Sequence, residues 1–204
     1  MRKYTVEFIG TFFLLIAVFF TDSPFAVGAM LMGVIYAGGH ISRAHYNPAV
    51  TLAFWLCGEC ENKDVFPYII AQLLAAGLAA FCALTFDKGG LGDQTLITGP
   101  AIFGEVLGTF ALVFIILNVA IAKNNEGNQF YGLAIAAIVV GCAFAFGSIS
   151  GAAFNPAVAI GACLAGTFAW SNIWIYLLTN FVTAAATAYV FMYVVAEDSE
   201  NSSS

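Results

Sequence analysis

Six apolar runs divide this chain, near residues 4–21, 25–41, 66–86, 101–122, 131–148 and 172–195. Each can cross a hydrocarbon layer of roughly 30 Å, which takes about 20 helical residues. Inside such a layer the backbone has no water to bond, so its polar groups must be satisfied within the protein. The runs therefore predict an all-α transmembrane protein with six spanning helices. Composition agrees: 61% of residues are hydrophobic and 9% charged, with a mean hydropathy of +0.91, a balance that a soluble domain would not present to water. Two further apolar stretches, 47–57 and 155–166, are half the spanning length and read as re-entrant half-helices.

The first run starts close to the N-terminus, contains Glu7 and has no small-residue cleavage site after it, so it reads as a span rather than a cleaved signal peptide. Lys and Arg accumulate in cytoplasmic loops. With the N-terminus inside, Arg2, Lys3, Arg43, Lys63 and Lys123 are cytoplasmic and only Lys88 is outside. The even span count then places the C-terminus inside as well. The expected organisation is a single transmembrane domain over 1–196 and a disordered cytoplasmic tail over 197–204. The net charge of -6 is spread over loops and tail, giving no nucleic-acid footprint and no polybasic lipid patch.

The chain is an internal duplication. With Asn47 set against Asn155, an offset of 108 residues, "GVIYAGGHISRAHYNPAV" (33–50) and "GCAFAFGSISGAAFNPAV" (141–158) are identical at ten of 18 positions, and "EFIGTFFL" (7–14) echoes "EVLGTFAL" (105–112). Repeat one covers about 1–88 and repeat two about 99–196. Each holds three spans, an odd number, so the second lies inverted in the membrane relative to the first. The half-helices then enter from opposite faces. Pro48 and Pro156 suit the first turn of each, where a missing N–H breaks no bond. Two helix N-termini, with unpaired N–H groups and partial positive charge, therefore meet near the midplane beside Asn47 and Asn155. Non-helical backbone before each start is tolerated there only if buried in protein or lining a watery path, and a pore is the simplest such arrangement.

Paired Asn-Pro-Ala motifs (Asn47, Pro48, Ala49; Asn155, Pro156, Ala157), "GHIS" before the first and a Glu opening each repeat resemble the aquaporin, or major intrinsic protein, family, over Arg2 to about Val195. The resemblance implies a passive channel. Asn47 and Asn155 would donate to the oxygen of a passing water or small solute, and the opposed dipoles would interrupt a proton wire. Backbone carbonyls of Arg43, Ala44, His45, Gly151, Ala152 and Ala153 would form an acceptor ladder. Glu7, Glu105 and His40 would brace the re-entrant loops, His40 near the cytoplasmic end, and His45 would orient loop and pore wall; a pH gate is the alternative for the histidines. Capping by each Asn is compatible with these roles. The resemblance also implies a homotetramer with one pore per subunit, and the short loops and tail favour the plasma membrane.

Two positions depart from the family, the first of them in the outer filter. The residue after the second Asn-Pro-Ala is most often an Arg that narrows the outer end, and here it is Val158. The other filter positions carried across are Val27, Ala143 and Ala152. Four small apolar residues predict a wider, less polar constriction that admits glycerol-, urea- or ammonia-like solutes with water. Alternatives are a strict water channel with a filter side chain supplied from elsewhere, an inverted-repeat transporter relaying protons through Glu7 and Glu105, and a scaffold without conduction. Arg43 stands where the family has Gly, and reads as a cation at the mouth or as one more basic residue on the inner side.

The five cysteines lie mostly in apolar segments and suggest packing. "CGEC" (57–60) has redox spacing but lacks a βαβ context or a second Cys/His pair, so no metal is expected. No cofactor and no enzyme chemistry are expected either. Gly104 and Gly108, at GxxxG spacing, predict close helix packing. Trp55, Trp170 and Trp174 read as interfacial anchors.

Overall fold

The computed structural model describes residues 1–90 and 96–201, with side chains up to Val195. Six long helices and two short ones form an all-α membrane architecture: α1 (Arg2–Phe20), α2 (Pro24–Ser42), the half-helix α3 (Pro48–Leu56) and α4 (Asn62–Thr85), followed by α5 (Thr98–Ala120), α6 (Tyr131–Ser150), the half-helix α7 (Pro156–Leu164) and α8 (Ile173–Asn201). The six long helices each have the length and apolarity of a membrane span. α8 continues through Asn201, past the tail boundary expected at 196, and residues 202–204 lie outside the described residues.

The duplication is visible in the packing. α1 lies against α2 and α4, and α5 lies in the same way against α6 and α8, while α2 against α6 joins the repeats. Each half-helix crosses over: α3 packs mainly on α8 and α7 mainly on α4. Small residues permit this, since Ala75, Ala76, Ala79, Ala80 and Ala83 of α4 and Ala184 and Ala188 of α8 are all buried. Large apolar side chains point the other way. Phe66, Ile70, Leu74, Leu78 and Phe81 of α4 are exposed at near four-residue spacing, a stripe left for lipid or for another subunit.

Both half-helices are capped identically. Asn47 (φ −158°, ψ 122°) and Asn155 (φ −154°, ψ 115°) are extended N-cap residues followed by Pro at the first helical position. Nine residues at 1.5 Å rise carry each helix about 14 Å, roughly half of the hydrocarbon thickness. Gly58 and Gly166 end them in the left-handed region, at φ 77° and 79°. Gly104 and Gly108 do serve close packing. A Cβ on Gly104 would lie 3.4 Å from Phe146 Cβ on α6, while Gly108 faces the ring of Phe154 in the segment before α7. Trp55, Trp170 and Trp174 are all exposed.

Candidate functional site: the central pore

Where α2 and α6 end, the chain turns through left-handed backbone: Arg43 (φ 65°), Ala44 (52°) and Tyr46 (49°) in repeat one, Gly151 (83°), Ala152 (51°) and Phe154 (48°) in repeat two. Only glycine adopts this region without steric cost, and an ordinary residue is disfavoured there by roughly 1–2 kcal/mol. Five non-glycine residues hold it because their surroundings over-determine it.

The first device is a buried carboxylate. Glu7 Oε1 accepts from Ser42 Oγ (2.7 Å) and the His45 N–H (2.9 Å), and Oε2 accepts from the Tyr46 N–H (2.7 Å) and Gln72 Nε2 (2.8 Å). Glu105 repeats the pattern, with Oε1 accepting from Ser150 Oγ (2.8 Å) and the Ala153 N–H (3.0 Å) and Oε2 from the Phe154 N–H (2.9 Å). The bent backbone, which has no helical partners for these N–H groups, finds them in span side chains. The second device is a tyrosine. Tyr68 donates to Ser42 O (3.0 Å) and Tyr176 to Ser150 O (2.7 Å), fixing the carbonyl at the end of each helix.

The third device joins the repeats. Asn47 Nδ2 donates to Phe154 O (2.9 Å) and Asn155 Nδ2 donates to Tyr46 O (2.9 Å), while each Oδ1 accepts a cap bond from the N–H of Ala49 (2.8 Å) or Ala157 (2.9 Å). Each side-chain amide has one N–H remaining after this crossed pair. Both asparagines line a cavity of about 490 Å³ that reaches from the midplane to the face opposite the N-terminus. A second cavity, of about 630 Å³, opens on the N-terminal face, and the two share Ile35, Ala44, Ile116 and Ile135 as wall residues. The two cavities therefore adjoin at these residues, and the asparagines line the first of them.

Of the filter positions read from the sequence, Val27, Ala152 and Val158 line the first cavity. Ala143 is not among its wall residues; it lies on the same four-residue stripe of α6 as Ile135, Val139 and Gly147, which are. The ladder positions Ala44, His45, Gly151, Ala152 and Ala153 line the first cavity, and Arg43 and Ala44 the second. His40, expected as loop support, is exposed on the second cavity and makes no side-chain hydrogen bond among the described residues. His45 takes that place. Its buried ring sits 4.2 Å from Phe54 and 5.0 Å from Tyr68 (ring centroids), with Nδ1 3.2 Å from Thr51 Oγ1. The Thr51 hydroxyl donates to Asn47 O (3.1 Å) and accepts from Gln72 Nε2 (3.1 Å), an arrangement that suits the His45 tautomer protonated at Nδ1.

Sequence reasoning missed Gln72, Thr51, Tyr68 and Tyr176 as supports. Extending the 108-residue offset would have pointed to three of them, since it pairs Tyr68 with Tyr176 and Gln72 with Asn180. It also missed Asp22, Lys88 and Phe168, which line the far end of the first cavity from three different connections. No motif marks them. Arg43 pairs with Glu59 (2.5 Å) at the rim of the second cavity, and Glu59 is the acidic residue of "CGEC" itself, next to Cys60. Burial pushes the Cys57 thiol up to about 11, helped by the charge of Glu59, and raises Cys60 as well. Raised thiols form little nucleophilic thiolate at neutral pH. Cys57→Ser and Cys60→Ser are accordingly expected to shift stability by no more than about 0.5 kcal/mol, with water flux preserved before and after treatment with oxidant. A flux that responds to oxidant only in the parent protein would restore a redox role.

Two inverted sets of helices with head-to-head half-helices and an asparagine-lined path between them define a membrane channel class. The comparisons agree. The family model Major intrinsic protein matches residues 20–191. The chain is 33% identical to "Aquaporin AqpM" of Methanothermobacter thermautotrophicus over 245 aligned positions, covering 96% of this chain and 98% of that protein. It is 34% identical to "Glycerol uptake facilitator protein-like 6" of Lactiplantibacillus plantarum, covering 97% and 100%. The X-ray structure of the aquaglyceroporin from Plasmodium falciparum superposes with a TM-score of 0.79 at 21% identity, over 93% of this chain and 94% of that one. The chain belongs to the major intrinsic protein family.

Proposed function

We propose that this protein is a passive channel for water and small uncharged solutes such as glycerol, urea or ammonia, and that it excludes protons at the paired asparagines. The observation that carries this reading is the crossed asparagine pair on the wall of a cavity that adjoins a second one opening on the other face. A water at the centre accepts from the two remaining N–H groups, one from each repeat. Both its lone pairs are then occupied, and its own hydrogens point outward along the path in opposite senses. The half-helix N-termini, each worth about half a positive charge, favour that orientation and repel cations. A proton cannot hop through a water that has no lone pair left to accept it from its neighbour.

At the far end the wall residues Val27, Ala152 and Val158 are small and apolar. A polar filter that displaces hydration selectively is absent from these positions, so solutes larger than water are admitted by width. A proton-coupled transporter is disfavoured by geometry. Both oxygens of Glu7 already accept two hydrogen bonds each, leaving no site from which to relay a proton. The protein works as a homotetramer in the plasma membrane, with both termini cytoplasmic and the filter end outside.

Proteoliposomes test the reading. They should shrink rapidly under an osmotic step, re-swell with urea or glycerol, and hold a pH gradient. Fast water flux with glycerol, urea and ammonia all excluded would overturn the broad solute range. Val158→Arg should lower glycerol and urea flux by about tenfold, the effect of ~1.4 kcal/mol at the barrier, with a smaller loss of water flux. Equal losses for all three would indicate general disruption instead.

A further inference from the structure

The two repeats fill the space beside their re-entrant segments in opposite ways. The 108-residue offset pairs Arg43 with Gly151 and Cys60 with Phe168. In repeat one the large side chain belongs to the re-entrant segment: Arg43 reaches Glu59, and Arg43, Cys60 and Tyr68 share a polar pocket. In repeat two the re-entrant position has no side chain, and an aromatic ring from the α7–α8 connection occupies the space. A Cβ on Gly151 would lie 2.5 Å from Phe168 Cζ and 2.8 Å from Cε1.

The ring is held from several sides. It stacks on Tyr176 with centroids 4.7 Å apart and planes 17° from parallel, and Tyr176 is itself tied to Ser150 O. Its backbone is tied down too. After the left-handed Gly166, the N–H groups of Thr167 (2.9 Å) and Phe168 (3.1 Å) and the Thr167 hydroxyl (3.0 Å) all donate to Ala162 O. A half-buried Phe anchored in this way does not swing out of the path as a loop side chain would. It lines the same cavity as Val27, Ala152 and Val158, and it is the large rigid group that those positions lack.

We propose that Phe168 sets the upper size limit for solutes at the outer end of the pore, a task that the small residues at the filter positions leave open. The ring offers no hydrogen bond, so it limits passage by shape, and the solutes it admits are compact neutral polyols and amides. This inference rests on the channel reading above and deepens it.

Relative permeability to urea, glycerol and erythritol, each normalised to water in the same proteoliposomes, tests it. Phe168→Ala is expected to raise the erythritol-to-water ratio by about tenfold and glycerol by less, leaving urea little changed. Phe168→Trp should move the same ratios down. The opposed pair guards against misfolding, because a damaged channel loses water flux in both variants. If the parent passes glycerol and neither variant changes any ratio, the role of Phe168 is overturned while the broad-solute reading stands. If the parent passes water alone and Phe168→Ala opens it to glycerol, the broad-solute reading falls and Phe168 remains the size limit.

Discussion

Glu7→Leu should cost this protein most of its stability and all of its flux. The carboxylate is wholly buried and accepts four hydrogen bonds. Leucine fits a span better than an ionised group does, so insertion alone favours the variant. The donors decide otherwise. The N–H groups of His45 and Tyr46, Ser42 Oγ and Gln72 Nε2 would be stranded in a dry interior, at about 1–3 kcal/mol for each that finds no new partner. Even two unrescued N–H groups amount to several kcal/mol, on the scale of a domain's entire stability. Thermal unfolding in detergent and water flux in proteoliposomes measure the result. Glu7→Gln, which retains one acceptor oxygen, should lose about half as much. Glu105→Leu should be the milder of the two leucine variants, since Glu105 accepts three of these bonds where Glu7 accepts four. A Glu7→Leu protein that unfolds like the parent would refute the bracing role.

Adding a single methyl group at Gly10 or Gly108 should be nearly as damaging. A Cβ on Gly108 would lie 2.0 Å from Phe154 Cε1, and one on Gly10 would lie 2.1 Å from Tyr46 Cε1. These two rings belong to the left-handed residues just before the asparagines, so relief of the clash displaces the crossed hydrogen bonds. Overpacking of this kind costs typically 1–3 kcal/mol, occasionally more. Gly10→Ala should be the worse, because Tyr46 cannot slide: its hydroxyl donates to Val34 O (2.9 Å), and Gly38 leaves no room on that side, with a Cβ there 2.0 Å from Tyr46 Oη. Phe154 has no such tether. Pairing Gly108→Ala with Phe154→Leu should recover about 1 kcal/mol relative to the sum of the single changes. Simple additivity of the pair would show that the ring is not what Gly108 accommodates.

Much of the fold was legible because its period is coarse. A span of about 20 apolar residues is a strong signal, and α1, α2 and α4–α6 begin and end within a few residues of the runs read from the chain. The half-helices were legible for a different reason. Pro48 and Pro156 mark first turns and Asn47 and Asn155 mark caps, and these are local chemistry that a sequence displays directly. The inversion followed from counting. Less of the site could be read. The carboxylates were found, but their partners Gln72 and Tyr68 are ordinary residues of a span until α4 is seen packed on α1. His40 and His45 were indistinguishable by composition, and only burial and the position of Thr51 separate them.

The outer filter divides along the same line. By itself the sequence determined that six spans, two capped half-helices and an inverted duplication bring two asparagines together, and that Val158 replaces the usual Arg, because these depend on residues close in the chain or repeated at a constant offset. Only the tertiary structure decided what shares the cavity wall with Val158. Phe168 reaches the cavity because Gly151 has no side chain and Tyr176 offers its ring. Those residues are separated along the chain, and no local rule connects their sizes. Shape complementarity between distant segments has no period, so it becomes visible only once the helices are packed.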